Sequence, residues 1–561
     1  DYPAEYGRKL GGVIEVTTKA DVRPGLHGKA VAGGGSFGSG NGYVSGQYGW
    51  GRNTAALSVE GAHTDRYLDP PVEENFTNRS SHAGISARWE RDLSAKDRLQ
   101  LSVRRGTTRF LVPNELVQQS AGQRQDRNSE ENSGQIAWTR VVSPRLLASI
   151  RAMVQDVSAN LWSNPQSTPI QPSQQRGFRQ GYANGSLSWH RGANEWKVGA
   201  DALFASIDEA FAYRITNRRL FDRDTPRNFR FSGSAQDREQ SAYIQDLYRL
   251  GNWTVSAGLR WDHYRLLVHD NAVSPRFGIA WYWPAAGIVF RASYDRAYQT
   301  PAIENLLLAS SPAVAQLNDN ALRLPVPPSR ANFYQAGLAK AFWGKVRLEA
   351  NYFRRNFHDF SDDDVLLNTG VSFPIAFAGA EITGTEAKLE VPSWGRFSGF
   401  LSYSNMTGFG RLPVTGGLFL GDESANLLRS NARFPITQDQ RNSARARVRY
   451  SLGPRVWMAA QASYGSGLPV VENAGSNQLS GAYGPRILER VNFERGRVRP
   501  SFALDLSGGC ELWKREKRSV RLQADLLNLT NRLNVVNFAG LFSGTALAAP
   551  RSGSLRLQAE F

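Results

Sequence analysis

The feature that most constrains this sequence is a period of two. Trp253, Val255, Ala257, Leu259 and Trp261 alternate with Thr254, Ser256, Gly258, Arg260 and Asp262. Val346, Leu348, Ala350 and Tyr352 alternate with Arg347, Glu349 and Asn351, and the chain ends with Leu555, Leu557, Ala559 and Phe561 against Arg556, Gln558 and Glu560. Successive side chains of a strand point to opposite faces, so each segment has one apolar and one strongly polar face. Helical periodicity is nearly absent. Mean hydropathy is −0.42 and no run approaches the roughly 18 apolar residues of a spanning helix, which excludes a helical membrane protein. A membrane barrel needs only alternate apolar positions and survives this test. The single cysteine, Cys510, excludes a disulfide scaffold and multi-cysteine metal sites.

Connection lengths indicate what the strands build. Ten short turns are expected at Trp50–Asn53, Asp92–Arg98, Val142–Arg145, His190–Asn194, Leu250–Asn252, Pro284–Gly287, Phe342–Gly344, Pro392–Gly395, Leu452–Pro454 and Trp513–Arg518. Between them lie mostly long polar stretches, such as Arg105–Asn132, Ser206–Asp237, Ala297–Arg330, Asn405–Asp439 and Ser466–Arg499, so short and long connections are expected to alternate strictly. Ten hairpins, one strand before them (about His27–Ser36) and one after the last loop predict about 22 strands in all. The fold class is therefore all-β, a transmembrane antiparallel barrel with short periplasmic turns and long extracellular loops. Twelve of the 14 tryptophans lie close to a short turn; Trp162 and Trp261 do not. Trp253, Trp283, Trp343, Trp394, Trp457 and Trp513 are accordingly expected in a periplasmic aromatic girdle.

Beyond its barrel pattern, the sequence resembles the TonB-dependent outer-membrane receptors. Pro3-Ala4-Glu5-Tyr6-Gly7-Arg8, followed by Gly11-Gly12-Val13-Ile14-Glu15-Val16-Thr17-Thr18-Lys19, is similar to the last strand of that family's plug. Ser274-Pro275-Arg276-Phe277-Gly278 with Tyr294 to Thr300-Pro301 resembles its mid-barrel hairpin and following loop. Tyr464-Gly465-Ser466-Gly467-Leu468-Pro469 and Asp525-Leu526-Leu527-Asn528-Leu529-Thr530-Asn531 resemble late-barrel motifs. Phe561 matches the aromatic carboxy-terminal residue that serves as the membrane-insertion signal. The resemblance implies a plug tail at 1–20 and a receptor barrel at 21–561, with the TonB box and most of the plug expected upstream in a longer protein. It also implies a Gram-negative outer-membrane location and TonB-energised import of a scarce ligand such as a ferric siderophore. The implied partners are the inner-membrane TonB complex, the barrel-insertion machinery, and outer-membrane lipid and lipopolysaccharide. The alternatives are a TonB-linked receptor for oligosaccharide, peptide or protein, of the carboxypeptidase-regulatory-like or Oar-like type, and a passive porin. No enzyme and no cofactor is expected, and the barrel is expected to be a monomer.

Charge adds candidate sites. The formal net charge is +17, with 57 arginines to 10 lysines. By the alternation, Arg260, Arg291, Arg347, Arg445, Arg447, Arg449, Asp505 and Asp525 line the lumen, where cross-strand ion pairs are the plain reading and a substrate track the sharper one. Arg218, Arg219, Arg223, Arg227 and Arg230, interleaved with Phe221, Phe229 and Phe231, fall in one outer loop, and Tyr298 in another. Guanidinium groups suit phosphate or carboxylate, so these six are the candidate ligand residues. Nucleic acid fits the composition but not a loop facing the cell exterior. The carboxylates Asp359, Asp362, Asp363 and Asp364 lack the spacing of a calcium loop, and the seven histidines lack metal-ligand spacing. Cys510 falls on the apolar phase and is expected to face lipid.

Overall fold

The computed structural model describes residues 2–15, 24–221, 223, 225–315, 317, 325–367, 369–418, 420, 431–470, 476–540 and 542–561. The chain forms a closed antiparallel barrel of 22 strands. Closure is made by the first strand, Gly25–Gly35, which pairs with the last, Ser552–Glu560, from Lys29↔Glu560 to Gly35↔Ser554. One wall strand comes in two pieces, Arg433–Pro435 and Asn442–Ser451, which pair with successive parts of Phe397–Gly416. Closure leaves no edge, so each backbone group in the bilayer finds its partner within the sheet.

All ten expected short turns lie at one end of the barrel. The other end departs from strict alternation, because Ser36–Gly38 and Leu266–Val268 are outer connections of only three residues. Several stretches expected as polar loops are largely strand. Asn228–Leu250 and Ser372–Trp394 each run 23 residues, where about 10 suffice to cross a bilayer. The tall part of the wall thus stands clear of the membrane. In Asn194–Ile215 the outward face is apolar up to Phe204 and then carries Ser206 and Asp208. In Val346–Val365 it is apolar up to Tyr352 and then carries Arg354, Asn356 and His358. No helix among the described residues is long and apolar enough to cross a membrane.

The two faces obey the alternation. Val44, Leu57, Val59, Val103, Leu259 and Leu555 are large, apolar and exposed on the outer face. At the short-turn rim, Trp253, Trp281 and Trp283 stack at 5.6 and 6.1 Å between ring centroids. Trp343 sits in its turn, 80% exposed. Trp394 and Trp513 reach the outer face only because a bulge precedes each, between Val391 and Trp394 and between Glu511 and Trp513. A bulge inserts one extra residue and so reverses the facing of the side chains beyond it. Trp457 departs from the expected girdle: it shares the inner face with Arg449, whose guanidinium lies 4.6 Å from its ring centroid, while Met458 takes the outer face. Cys510 pairs with Val456 and Leu522 on the outer phase. Phe561 extends the closing pair, its N–H donating to Gly28 O at 3.0 Å and its O accepting from Gly28 N at 2.8 Å.

Candidate functional site: the lumen wall and the outer cap

Residues 2–10 lie against the inner face of the strands from Asn194–Ile215 to Ile288–Gln299. Their backbone is held by side chains of the wall. Tyr2 N donates to Asp295 Oδ1 at 3.3 Å, Glu5 N to Gln245 Oε1 at 3.1 Å, and Leu10 N to Gln299 Oε1 at 2.9 Å. Arg276 donates to the carbonyls of Tyr2 and Pro3 and stacks on the Tyr2 ring at 4.6 Å. Lys197 pairs with Glu5.

Arg260 is the centre of this contact and is 1% exposed. A buried guanidinium is tolerated only when its donors are met. Here Nε donates to Asp262 Oδ1 at 2.8 Å, Nη2 to Ser241 Oγ at 2.6 Å and Asp201 Oδ2 at 3.1 Å, and Nη1 to Glu5 O at 3.2 Å. Arg8 adds a second cation, bonded to Asp201 and, at 2.9 Å, to Glu239. The alternation identifies Arg260 as inward, but not Asp201, Glu239 and Ser241 as its neighbours: they come from strands paired through long registers.

The other lumen candidates are dispersed. Arg347 meets Glu390 at 4.0 Å. Asp505 Oδ1 accepts from Asn528 N at 2.8 Å, and Asp525 Oδ1 from Ser507 Oγ at 2.7 Å. Arg291 is exposed on the inner face opposite Ala280 and Gly337. Arg445, Arg447 and Arg449 occupy three successive inner positions of Asn442–Ser451.

Over the lumen stands a cap with its own apolar interior, which an expectation of polar loops does not anticipate. Phe211, Tyr213 and Ile215 pack with Leu306 and Leu308 of the short helix Leu306–Ala309 and with Phe373. A second cluster joins Val72, Tyr483, Ile487, Val498, Phe538 and Leu547, and a third joins Ile375, Phe377, Val414 and Phe542. The signal is present in the run Leu306-Leu307-Leu308 and in Phe211-x-Tyr213-x-Ile215, which continues the strand alternation beyond the membrane. Glu209 fastens the helix, accepting from Leu307 N and Leu308 N at 3.1 Å each. Burial nonetheless pushes its carboxyl up to about 7. Burial likewise raises Asp362 to about 6 and Asp364 to about 8. Asp439, fully buried, ties three segments: it accepts from Gly408 N at 2.8 Å and Arg441 Nε at 3.0 Å, and it pairs with Arg497.

The expected ligand residues do not converge. Arg218 donates to the carbonyls of Thr225 and Arg223, so it braces its own loop. Arg219, Arg223, Arg227 and Arg230 are exposed; Asp222 and Asp224 between them lie outside the described residues. Tyr298 is 2% exposed, beneath Arg330, which pairs with Asp270 at 2.6 Å. Among the described residues no group of three or more His, Cys, Asp or Glu is placed to hold a metal ion.

The sequence model of the family described as "TonB dependent receptor-like, beta-barrel" matches residues 28–529. Among curated proteins, none matches the sequence significantly. Solved structures with the same fold include the ferric citrate transporter FecA in its unliganded form, at TM-score 0.71 and 13% identity over 100% of this chain and 82% of that one. The copper transporter OprC aligns at TM-score 0.71 and 13% identity over 96% of this chain and 80% of that one. The siderophore receptor PiuA from Acinetobacter baumannii aligns at TM-score 0.69 and 14% identity over 96% and 82%.

Proposed function

Because the chain belongs to the TonB-dependent receptor family of outer-membrane β-barrels, which are transporters rather than enzymes, we propose that it imports a scarce ligand such as a ferric siderophore, energised through TonB. The observation that carries this reading is the cap: an outer end knitted by apolar clusters suits gated, high-affinity capture, whereas a passive pore needs a free aqueous mouth. The similarly folded proteins named for ferric citrate, siderophore and copper are consistent with a metal-bearing cargo. In this reading residues 2–15 act as the tail of a plug, held on the wall by Arg260 and Arg276. The outer loops, with Arg219, Arg223, Arg227 and Arg230, meet an anionic ligand or lipopolysaccharide phosphate.

The test is a deletion strain grown under iron limitation and given labelled ferric chelates. Slower growth and reduced uptake, restored by the gene only when TonB is present, support the proposal. Unchanged growth and uptake remove the siderophore and leave the wider transport reading to be tried with oligosaccharides and peptides.

A further inference from the structure

The short-turn rim carries charge on the lipid side of the wall, away from anything that fills the lumen. Three of its turns neutralise arginine with acid: Arg98 meets Asp92 at 2.7 Å, Arg140 meets Asp97 at 3.6 Å, and Arg249 meets Glu195 at 2.5 Å. The hairpin end at 514–518 does not. Lys514, Arg515, Lys517 and Arg518 are all exposed around a single acid, Glu516. Among the described residues none of these four cations has a carboxylate within ion-pair distance. Glu511 and Glu560, in the strands behind the turn, face inward and meet Arg521 at 3.6 Å each.

Arg515 and Arg518 are direct cross-strand partners, two positions beyond the pair Trp513↔Val520. Alternation places them on the outward face of Trp513. The pairing of Val520 with Ala559, on the outer phase of Leu555 and Leu557, gives the same facing. Two guanidinium groups directly opposite one another repel, so the pair is unfavourable unless an anion joins it. On the bilayer side of the pair, Leu512 and Trp513 stand exposed as an apolar ledge. Further round the rim the same combination recurs. Lys345 Nζ lies 5.6 Å from the centroid of Trp394, itself outward, and Arg396 is exposed in the same turn as that ring.

We propose that this hairpin end is a binding site for an anionic phospholipid, with the headgroup phosphodiester seated between Arg515 and Arg518 and the acyl chains along Leu512 and Trp513. Guanidinium groups match phosphate in bidentate fashion, and the flanking lysines reach the headgroup while their stems stay on the apolar surface. The ledge identifies a lipid rather than a soluble anion, which would leave Leu512 and Trp513 unused. The charge identifies an anionic headgroup, because the ammonium of a zwitterionic one would add to the repulsion. Lys345 and Arg396 beside Trp394 offer a second contact of the same kind. The inference rests on the short turns facing the phospholipid leaflet and does not depend on the imported ligand.

The test places the folded protein in phosphatidylcholine bilayers with a trace of spin-labelled phosphatidylglycerol or spin-labelled phosphatidylcholine, and reads the motionally restricted fraction of each. At low salt the anionic label is expected to be preferred about threefold. The preference should nearly vanish in R515Q/R518Q and stay largely intact in R52Q/R145Q, which removes the same charge from two other short turns. Heat-dependent gel migration reports whether each variant is folded. If the double variant is not, Arg518→Gln alone should roughly halve the preference. No preference in the unaltered protein, equal loss in both double variants, or an undiminished preference in R515Q/R518Q would each overturn the site. So would release of the lipid by glycerol phosphate beyond the effect of sodium chloride at equal ionic strength, which would make the hairpin end a site for soluble phosphate.

Discussion

Gly7 and Arg260 are fitted to one another without spare room. A Cβ on Gly7 would fall 1.9 Å from Arg260 Nε, so the guanidinium occupies the place where any side chain at position 7 would begin. Gly7 is therefore required by a neighbour. Arg260 in turn gains the Glu5 carbonyl only because the inner segment passes so close.

Gly7→Ala should lift residues 2–10 from the wall while leaving the barrel closed. The check is tryptic cleavage after Arg8, which is mostly buried against Asp201 and Glu239. Cleavage should accelerate at least tenfold, with heat-dependent gel migration unchanged; an unaltered rate would show that the contact does not hold the segment.

Arg260→Ala should cost more. It strands Asp262, nearly inaccessible, without its cation and leaves Asp201 with Arg8 alone. Removing one partner of a buried pair costs on the order of 3 kcal/mol. Denaturant unfolding of the detergent-solubilised protein measures this, and Arg260→Met separates lost volume from lost charge by restoring the first alone.

Asp439→Ala should loosen the cap but not the barrel. The substitution removes the acceptor of Gly408 N and Arg441 Nε and the partner of Arg497. A loss of about 2–4 kcal/mol is expected for unpaired buried donors, read as faster proteolysis around Arg441 and Arg497 at constant barrel yield.

The cap should also weaken as pH rises. Glu209 and Asp364 have carboxyls raised by burial to about 7 and about 8, from ordinary values of 4.5 and 3.8. A raised carboxyl leaves folding undisturbed below its unfolded value and penalises the folded state increasingly up to its folded one. Stability of the Leu306–Ala309 region is thus expected to fall between about pH 4 and 8 and to level off above. Hydrogen exchange at these amides, corrected for intrinsic rates, measures the change; Glu209→Gln should flatten the Glu209 share of it while keeping one acceptor oxygen.

Much of the barrel is legible in the sequence because membrane strands obey two local rules, alternation and turn chemistry. Gly51, Gly192, Gly251, Gly344 and Gly395 all take positive φ in short turns, where glycine meets no steric penalty. Those residues mark the turns at which the strand count closes. The inward phase of Arg260, Arg447 and Asp525 comes from the same alternation. What alternation does not convey is pairing across strands far apart in sequence, which brings Ser241 and Asp201 to Arg260. Nor does it show that Phe211 and Phe373, from two strands far apart in sequence, and Leu306, from a loop helix, share one apolar interior. Trp457 escapes the expected girdle for a local reason. Its nearness to a turn is visible in the sequence, but its phase has to be counted from Arg449 across the hairpin Leu452–Arg455.

The bulges before Trp394 and Trp513 bear on how the molecule is seated. Without them both indoles would face water inside the rim, and the belt of rings would be broken at two points of the circumference. With them the ring belt is more nearly continuous, and the barrel's vertical position is anchored on those sides too. A barrel held at one depth keeps its outer cap at a constant height above the lipid headgroups, which is what any partner approaching from either side of the membrane must find.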